Sequence, residues 1–451
     1  MRVHYHTFGC KANQYDTERM RQEAEARGVV TVSGASDADL LVVNTCTVTN
    51  QADADARRFI RRVHREHPEV RVVVAGCSAA LREDDYRAMD GVVDVIAGHD
   101  AVQVAGAVEG QAGAGLTQIQ LRSSLDQIDH EPVGGELLRA RRGAARGWLK
   151  VQDGCDRKCS FCATRLARGT SRSRALPEVV AEARLLAERH AELVITGIHI
   201  GHYGVDLDPA LTLSRLCATL LDEVPETRFR IGSVEATEVD DLLIDLMATS
   251  GGRLAPHLHM PLQSGADPVL RLMRRWHTRE QYRVRTLEIA ERVTPLGLGA
   301  DVITGFPGET HQDHAETRAL VEELPFTYLH VFPFSPRKET AAESLPAPVP
   351  QRIAGDRARE LRTIAQERGA SYRAGRSGSR ASVVLEGDGG TGLTEDYLRV
   401  RVDGRGREPF DGGAPSPRGP SSRPILVHGT LRGDSDDLYI VAPPKPALPS
   451  V

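Results

Sequence analysis

The first hundred residues alternate apolar runs of strand length with amphipathic runs of helical length. The candidate strands cover residues 3–7, 40–44 and 70–75. Strands that alternate with helices are typical of a parallel sheet with helices on its faces. Each strand is followed closely by a cysteine, Cys10, Cys46 or Cys77. Because ligands usually bind at the carboxyl edge of a parallel sheet, we expect these three cysteines to meet in space.

A second alternating region follows a glycine-rich connection at residues 106–115. Its β-like runs are residues 147–152, 192–198, 228–234, 257–262, 299–303 and 327–333. Helical stretches, such as residues 176–190 and 279–293, lie between them. This pattern predicts a βα repeat that forms a full or a partial barrel.

The last part of the chain changes character after a charged helical stretch at residues 351–373. Short β-like runs separated by Gly and Asp turns predict a small β-barrel or sandwich. These runs are residues 381–385, 397–402, 425–431 and 438–441. Residues 403–424 are rich in Gly, Pro and Ser and predict a long mobile loop, and residues 443–451 predict a disordered tail.

The predicted fold class is therefore mixed α/β with several units, because 451 residues exceed one ordinary hydrophobic core. The predicted units are an N-terminal parallel α/β sheet, a linker, a central (βα) partial barrel, a small C-terminal β-barrel and a tail. Their boundaries are residues 1–112, 113–140, 141–372, 375–443 and 444–451.

Composition narrows the class of protein. Apolar residues make up 40% of the chain, and no stretch reaches the roughly 18 apolar residues of a membrane span. The first residues lack the apolar core of a secretory signal, so we expect a cytoplasmic protein without a membrane partner. In that reducing compartment the seven cysteines favour metal ligands, catalytic groups or buried thiols over disulfides.

Charge is unevenly distributed. The net charge is -5, but residues 139–174 contain eleven Lys or Arg against two Asp, a local excess of +9. Such a segment suits a polyanionic substrate, although a solvated surface stretch has the same composition.

Three cysteines form a short loop directly after the first β-like run of the second region. Cys155, Cys159 and Cys162 have the spacing C-x3-C-x2-C. Three soft thiolates on one loop can hold three irons of a [4Fe–4S] cluster and leave the fourth iron open. Structural zinc is the alternative, but zinc normally takes four ligands, and the nearest histidines are more than 20 positions away.

With Phe161 before its last cysteine, this loop resembles the signature of the radical S-adenosylmethionine (SAM) superfamily. The resemblance implies that SAM chelates the open iron and yields a 5′-deoxyadenosyl radical that abstracts hydrogen. Cys10, Cys46 and Cys77 are similar to the N-terminal triad of the methylthiotransferases, which holds a second [4Fe–4S] cluster. Three buried structural thiols would be the alternative. Cys217, alone in an apolar helical run, is predicted to pack in the core.

Further motifs resemble the same family along almost the whole chain. They lie at residues 9–18, 44–46, 76–77, 196–201, 257–265, 305–310 and 332–337. The C-terminal unit is similar to the TRAM domain, an RNA-binding module. Residues 9–18 and 392–397 resemble the branch that acts on N6-threonylcarbamoyladenosine.

The resemblance implies that C–H is replaced by C–SCH3 at carbon 2 of this adenosine, at position 37 of tRNA. The alternatives are isopentenyladenosine in tRNA, an aspartate of a ribosomal protein, and a non-catalytic RNA-binding protein with structural metal. The implied cofactors are SAM and two [4Fe–4S] clusters. The implied partners are the tRNA anticodon stem-loop and an electron donor such as flavodoxin or ferredoxin, and the sequence indicates no sulfur donor.

No catalytic side chain can be assigned from the sequence. The resemblance implies SAM contacts at Phe161, Thr196, Gly197 and Glu235, although Glu235 also fits an ordinary surface carboxylate. His257 and His259 share one face of a predicted strand, so they are expected inside the barrel, at a metal or as structural groups. The sequence departs from the family pattern at residues 163–166 and in the length of residues 403–424.

Overall fold

The computed structural model describes residues 1–47, 50–110, 137–387, 390–402 and 426–441. The predicted loop at residues 403–424, the predicted tail at 443–451 and most of the predicted linker at 113–140 lie outside these residues. Among the described helices, none has the length and apolar character needed to cross a membrane.

The N-terminal unit is a five-stranded parallel sheet in the order β2-β1-β3-β4-β5. The strands are β1 (Arg2–Thr7), β2 (Val30–Thr31), β3 (Leu40–Thr45), β4 (Arg71–Gly76) and β5 (Val92–Val95). The helices are α1 (Lys11–Ala26), α2 (Asn50–Glu66), α3 (Cys77–Leu81), α4 (Glu83–Arg87) and α5 (Ala101–Val108). One apolar core lies under α1 and α5, and another under α2, α3 and α4, so both faces of the sheet are covered. This sheet confirms the predicted parallel α/β unit and its three predicted strands.

Six longer parallel strands form the central unit, together with a two-stranded hairpin of β7 and β8. The strands are β6 (Arg146–Lys150), β7 (Gln152–Asp153), β8 (Arg172–Ser173), β9 (Glu192–Thr196), β10 (Arg228–Ile231), β11 (His257–His259), β12 (Gly297–Thr304) and β13 (Tyr328–Pro333). The order is β6-β9-β10 and then β11-β12-β13, and the bridge between Ser233 and His259 joins the two halves. Among the described residues nothing pairs β6 with β13, so the barrel is partial.

Helices cover the outside of this partial barrel. They are α6 (Thr164–Arg168), α7 (Leu176–Ala187), α8 (Leu213–Glu223), α9 (Asp241–Thr249), α10 (Asp267–Leu272), α11 (Arg279–Arg292), α12 (His311–Glu323) and α13 (Gln351–Gly375). Along β12, Leu298, Ala300 and Val302 join the large apolar core beneath the helices, whereas Gly299 and Asp301 face inward. Cys217 on α8 is buried in this core, where it was predicted to pack.

Helix α1 of the N-terminal unit packs against β6, at the open side of the barrel. Lys150 Nζ on β6 lies 2.7 Å from Asp16 Oδ1 on α1, and Trp148 Nε1 donates to Gln14 Oε1 at 3.0 Å. The N-terminal sheet therefore brings its carboxyl edge toward the mouth and the inner face of the barrel.

The C-terminal unit is a closed barrel in the order β14-β15-β16-β18-β17. Its strands are β14 (Arg380–Glu386), β15 (Thr391–Thr394), β16 (Arg399–Val402), β17 (Leu426–Gly433) and β18 (Leu438–Val441). The sequence pattern missed the short β15, and the strand predicted to begin at Tyr397 begins two residues later. Tyr397 has φ of 71°, a left-handed conformation that belongs to a turn and not to a strand.

This small barrel docks at the amino ends of the central strands. Arg228 Nη1 donates to Ser382 O at 2.9 Å, and Arg230 Nη2 donates to Thr394 O at 2.8 Å. The Tyr397 ring stacks on the His257 ring with centroids 4.2 Å apart. The turn before β16 thus closes the lower end of the partial barrel.

Candidate functional site

The first cysteine triad lies at the carboxyl edge of the N-terminal sheet. Helix α1 begins directly after Cys10, Cys46 follows β3, and α3 begins at Cys77. One side-chain oxygen, Asn13 Oδ1, lies 3.9 Å from Cys10 Sγ and 3.7 Å from Cys77 Sγ. The structure therefore gathers these cysteines at one edge, as expected for turns that follow neighbouring parallel strands.

A glycine makes the turn at Cys77 possible. Gly76 has φ of 99°, and a Cβ there would lie 2.2 Å from Asn44 Oδ1 and 2.5 Å from Thr45 O. A side chain has no room at this position, and the left-handed backbone favours glycine independently. Gly76 thus lets α3 start at the sheet edge with the Cys77 thiol directed to the triad.

Arg168 of α6 connects this triad to the central unit. Its guanidinium donates to both oxygens of Asp153 at 2.9 and 2.8 Å, to Asp16 Oδ2 at 2.8 Å and to Asn13 Oδ1 at 2.6 Å. Its Nε lies 3.3 Å from Cys77 Sγ. The side chain is about 1% exposed, so it is a buried cation shared between the two units.

Charge determines the protonation of the Cys77 thiol. Burial alone raises the pKa of Cys77, but the nearby Arg168 guanidinium and His99, whose Nε2 lies 3.5 Å from the sulfur, outweigh it and lower the pKa. Burial instead raises the pKa of Cys10. A lowered pKa favours the thiolate, which is the form in which a cysteine binds iron.

The second triad is the loop between β7 and α6. Cys155 N donates to Gly169 O at 3.1 Å and Cys162 N donates to Cys159 O at 3.2 Å, so the loop is held at both ends. Cys155 and Cys159 are partly buried and Cys162 is exposed. Burial raises the pKa of Cys155 to about 12. The loop that carries these thiols lies at the carboxyl ends of the barrel strands, where α/β barrels place their active sites.

Two basic side chains lie against this loop, and both escaped the sequence analysis. Arg275 Nη1 is 3.7 Å from Cys159 Sγ, and His199 Nδ1 is 3.7 Å from Cys155 Sγ. Arg275 also forms an ion pair with Glu235, the carboxylate predicted to bind SAM. Glu235 is buried, which is inconsistent with an ordinary surface carboxylate.

The other predicted SAM contacts lie around the same end of the barrel. Thr196 is the last residue of β9, and a Cβ on Gly197 would lie 2.7 Å from Gln152 O, so the chain passes too closely for a side chain. Phe161 packs edge-on against Phe306 with centroids 6.4 Å apart. These contacts with SAM remain predictions.

Both triads fit iron–sulfur ligation better than a single zinc ion. A tetrahedral zinc site requires sulfur atoms roughly 3.8 Å apart, given Zn–S bonds of about 2.3 Å. Among the described residues, two groups of three side chains bring their ligand atoms within 4.8 Å of one another, and neither contains a cysteine. Two all-thiolate sets with wider spacing suit clusters.

The inner face of the barrel is polar. Tyr328 Oη lies 2.9 Å from His257 Nε2 and 3.2 Å from His259 Nδ1. Asp301 Oδ1 lies 3.2 Å from His259 Nε2 and 3.2 Å from His330 Nδ1. His257 and His259 therefore face the interior together, as their strand spacing predicted, and they belong to a hydrogen-bonded row.

The predicted basic segment lies only partly at the surface. Of its eleven cationic residues, Arg139, Arg142 and Lys158 are exposed. Lys150, Arg168 and Arg174 are buried in ion pairs with acidic residues. Counting charged residues within the segment cannot reveal that these cations are paired, because two of their acidic partners, Asp16 and Glu182, lie outside the segment.

Two family models match the chain. Residues 2–98 match the "Uncharacterized protein family UPF0004", and residues 149–321 match the radical SAM superfamily. These ranges correspond to the sheet that carries the first triad and to most of the partial barrel that carries the second.

Curated relatives match most of the chain. The threonylcarbamoyladenosine tRNA methylthiotransferase MtaB of Bacillus subtilis is 34% identical over 82% of this chain and 81% of its own. The protein of the same name from Aquifex aeolicus is 32% identical over 90% of this chain and 97% of its own. The tRNA-2-methylthio-N(6)-dimethylallyladenosine synthase of Sorangium cellulosum is 32% identical over 84% of this chain and 81% of its own.

A solved structure shares the fold. The radical SAM methyltransferase TsrM from Kitasatospora setae aligns with a TM-score of 0.58 at 17% identity, over 76% of this chain and 77% of that one. At this identity the likeness concerns the fold alone.

Proposed function

Since the chain belongs to the radical SAM methylthiotransferase family, we propose that it converts N6-threonylcarbamoyladenosine of tRNA into its 2-methylthio derivative. Family membership rests on relatives above 30% identity that cover most of both chains. The arrangement that carries the proposal is a pair of cysteine triads, one at the sheet edge and one at the barrel mouth. Arg168 links the two regions, because it contacts Cys77 and Asp153 together.

The enzyme's cofactors are SAM and [4Fe–4S] clusters, as in the family. We propose that Cys155, Cys159 and Cys162 hold one cluster and that the triad at the sheet edge holds the other. When bound, these groups supply the radical that removes the hydrogen and the methylthio group that replaces it. The chain itself provides ligands, orientation and charge.

The side chains around the triads have separate tasks in this proposal. Arg275 donates to Cys159 Sγ and forms an ion pair with Glu235 at the barrel mouth. His199 Nδ1 lies beside Cys155 Sγ, and its Nε2 is paired with Glu238. Arg168 offsets the negative charge that accumulates on Cys77 and ties the sheet edge to the barrel. The distance between the two reacting centres is thereby set by buried ion pairs rather than by a flexible linker.

The polarity of the barrel interior favours threonylcarbamoyladenosine over dimethylallyladenosine. The threonylcarbamoyl group carries a urea, a hydroxyl and a carboxylate, whereas the dimethylallyl group is a hydrocarbon. The inner face presents His257, His259, Tyr328, Asp301 and His330, which are hydrogen-bonding groups. These groups can exchange hydrogen bonds with a urea, a hydroxyl or a carboxylate, whereas a hydrocarbon offers them no polar partner.

The partner of the site is the tRNA anticodon stem-loop, and the cytoplasm is then the compartment of action. We propose that the small C-terminal barrel contributes RNA contacts, largely to phosphates. The external electron donor is of the flavodoxin or ferredoxin class.

The test is nucleoside analysis by mass spectrometry after reaction of the reconstituted enzyme with three anticodon stem-loops. One RNA carries N6-threonylcarbamoyladenosine, one carries N6-dimethylallyladenosine and one carries unmodified adenosine at the same position. We expect a gain of one methylthio group on the first RNA and SAM cleavage that depends on it. Methylthiolation of the second RNA alone, or of a ribosomal protein alone, would overturn the substrate assignment.

A further inference from the structure

The residue directly after Cys10 is a lysine, Lys11, that has no hydrogen-bond or ion-pair partner in the part of the chain that the structure describes. Lys11 begins α1 and is partly buried. Among the described residues, no carboxylate or carbonyl oxygen lies within hydrogen-bonding distance of its ammonium group. The ammonium group of this partly buried lysine is therefore available to an anionic ligand.

The surroundings of Lys11 strengthen this requirement. The charged groups within electrostatic range include Arg146 and Arg230, which are cations, and Glu192. Glu192 is already engaged, because its oxygens accept from Arg228 Nε at 2.6 Å and from Arg230 Nε and Nη2 at 2.9 Å each. No free carboxylate is therefore left for Lys11 in the described part of this region.

Lys11 faces the barrel interior near the polar row. His257 on β11 lies within electrostatic range of Lys11, Arg146 and Arg230 together. The helix adds to the positive potential, because Cys10 precedes α1 without a side-chain cap and the first turn contains no acidic residue. Lys11 is thus adjacent to the sheet-edge triad in sequence and close to the polar row of the barrel in space.

In the proposed substrate, the negative charge lies on the same edge of the adenine ring as the carbon that reacts. Carbon 2 and the N6 substituent of adenine lie on the same edge of the ring, on either side of N1. When carbon 2 is held beside the sheet-edge triad, the N6 substituent is close enough to reach the residue next to Cys10. In threonylcarbamoyladenosine this substituent ends in a carboxylate, which a lysine ammonium binds by a charge-assisted hydrogen bond.

We propose that Lys11 binds the carboxylate of the N6-threonylcarbamoyl group and so selects an anionic adenosine substituent over a neutral one. This inference rests on the proposed function, because it assumes the substrate named there. Lys11 is a specificity residue: it holds the substituent, and it takes no part in hydrogen abstraction or sulfur transfer.

The test uses reconstituted enzyme and two anticodon stem-loops that differ only in the threonine terminus, carboxylate or carboxamide. Affinity is measured by fluorescence anisotropy and product by mass spectrometry. We expect the native enzyme to bind the carboxylate RNA about tenfold to a hundredfold more tightly, as for a hydrogen bond to a charged group. Lys11→Gln should bind the two RNAs equally, and Lys11→Arg should retain part of the preference.

Arg215→Gln is the control, because Arg215 is an exposed cation on α8, on the outside of the partial barrel. Iron content and the absorption spectrum verify that each variant carries its clusters. A native enzyme that does not distinguish the two RNAs overturns the inference, even if Lys11→Gln fails to fold. The inference is also overturned if Lys11→Gln keeps the preference for the carboxylate RNA. It is overturned likewise if the variant binds both RNAs more weakly by the same factor, since an equal loss of affinity indicates a phosphate contact.

The outcomes also separate the inference from the proposed function. Reaction with the dimethylallyl RNA and not with the threonylcarbamoyl RNA overturns the proposed function. Equal reaction with carboxylate and carboxamide RNAs leaves that function standing and removes the role of Lys11.

Discussion

Replacing Arg168 with glutamine tests whether the two triads are joined by one buried cation. The wild-type guanidinium makes five contacts, to two carboxylates, one amide oxygen and one sulfur. Without it, Asp16 and Asp153 share only the ammonium of Lys150. Removing one partner of a buried ionic network costs about 3–5 kcal/mol. We therefore expect Arg168→Gln to lower the free energy of unfolding by this amount.

The same substitution should change the chemistry of Cys77. Because Arg168 lowers the pKa of the Cys77 thiol, its loss should raise that pKa and reduce the thiolate fraction at neutral pH. The assay is the rate of iodoacetamide modification of Cys77 against pH in cluster-free protein, read by peptide mass spectrometry. We expect the reaction profile of the variant to shift to higher pH.

Stability is followed by urea unfolding of the same cluster-free protein, using the fluorescence of Trp148 and Trp276, the two tryptophans of the chain. Arg189→Gln is the control, because Arg189 is exposed on the same unit and should change stability by less than about 0.5 kcal/mol. If Arg168→Gln unfolds within about 1 kcal/mol of wild type and Cys77 reacts at an unchanged pH, the network does not have the role described.

Three further substitutions follow from the geometry. Gly76→Ala places a Cβ 2.2 Å from Asn44 Oδ1, so we expect reconstituted iron to fall from about eight to about four per chain by loss of the sheet-edge cluster. Burial lowers the pKa of His190 to about 4 in the folded protein, whereas an unfolded histidine has a pKa near 6.5. Between these two pH values, unfolding therefore lets His190 take up a proton. The free energy of unfolding should therefore fall by on the order of 3 kcal/mol as the pH drops from 6.5 to 4. Urea unfolding of His190→Gln should not show this pH-dependent loss. Glu192→Gln leaves buried guanidiniums unpaired, at a cost of about 3–5 kcal/mol, and limited proteolysis should release the C-terminal barrel sooner.

Each of these changes has its own control. Gly28→Ala imposes a similar left-handed strain, with φ of 86°, but meets no atom within 4 Å, so its iron content should be normal. Full iron in Gly76→Ala would contradict the steric argument. An unchanged acid dependence in His190→Gln would show that other groups cause it. Glu188→Gln, at an exposed position, should match wild type, and equal resistance of Glu192→Gln would argue against the docking role.

Much of the fold follows from local sequence patterns. Apolar runs that alternate with helical stretches predict the parallel sheet and most central strands. A buried strand needs apolar side chains whichever elements pack beside it. The pattern failed at β15 (Thr391–Thr394), which is four residues long and contains two threonines and a glycine. It also extended a strand through Tyr397, which has a left-handed backbone and whose ring packs on His257.

Some residues of the candidate site could likewise be predicted from the sequence, whereas others are identified only by the structure. The six cysteines could be selected from the sequence, because thiolates at strand ends and on one short loop have few other uses. Arg168, His99, Arg275 and Lys11 could not, since an isolated basic residue is ordinary in any sequence and its partners lie up to 155 positions away. Only the tertiary structure decides which charges cancel. Lys150, Arg168 and Arg174 of the basic segment are buried in ion pairs, whereas Lys11 has no acceptor among the described residues. Apolar burial is dictated by a residue's own chemistry, but electrostatic roles depend on what the fold places within a few ångströms.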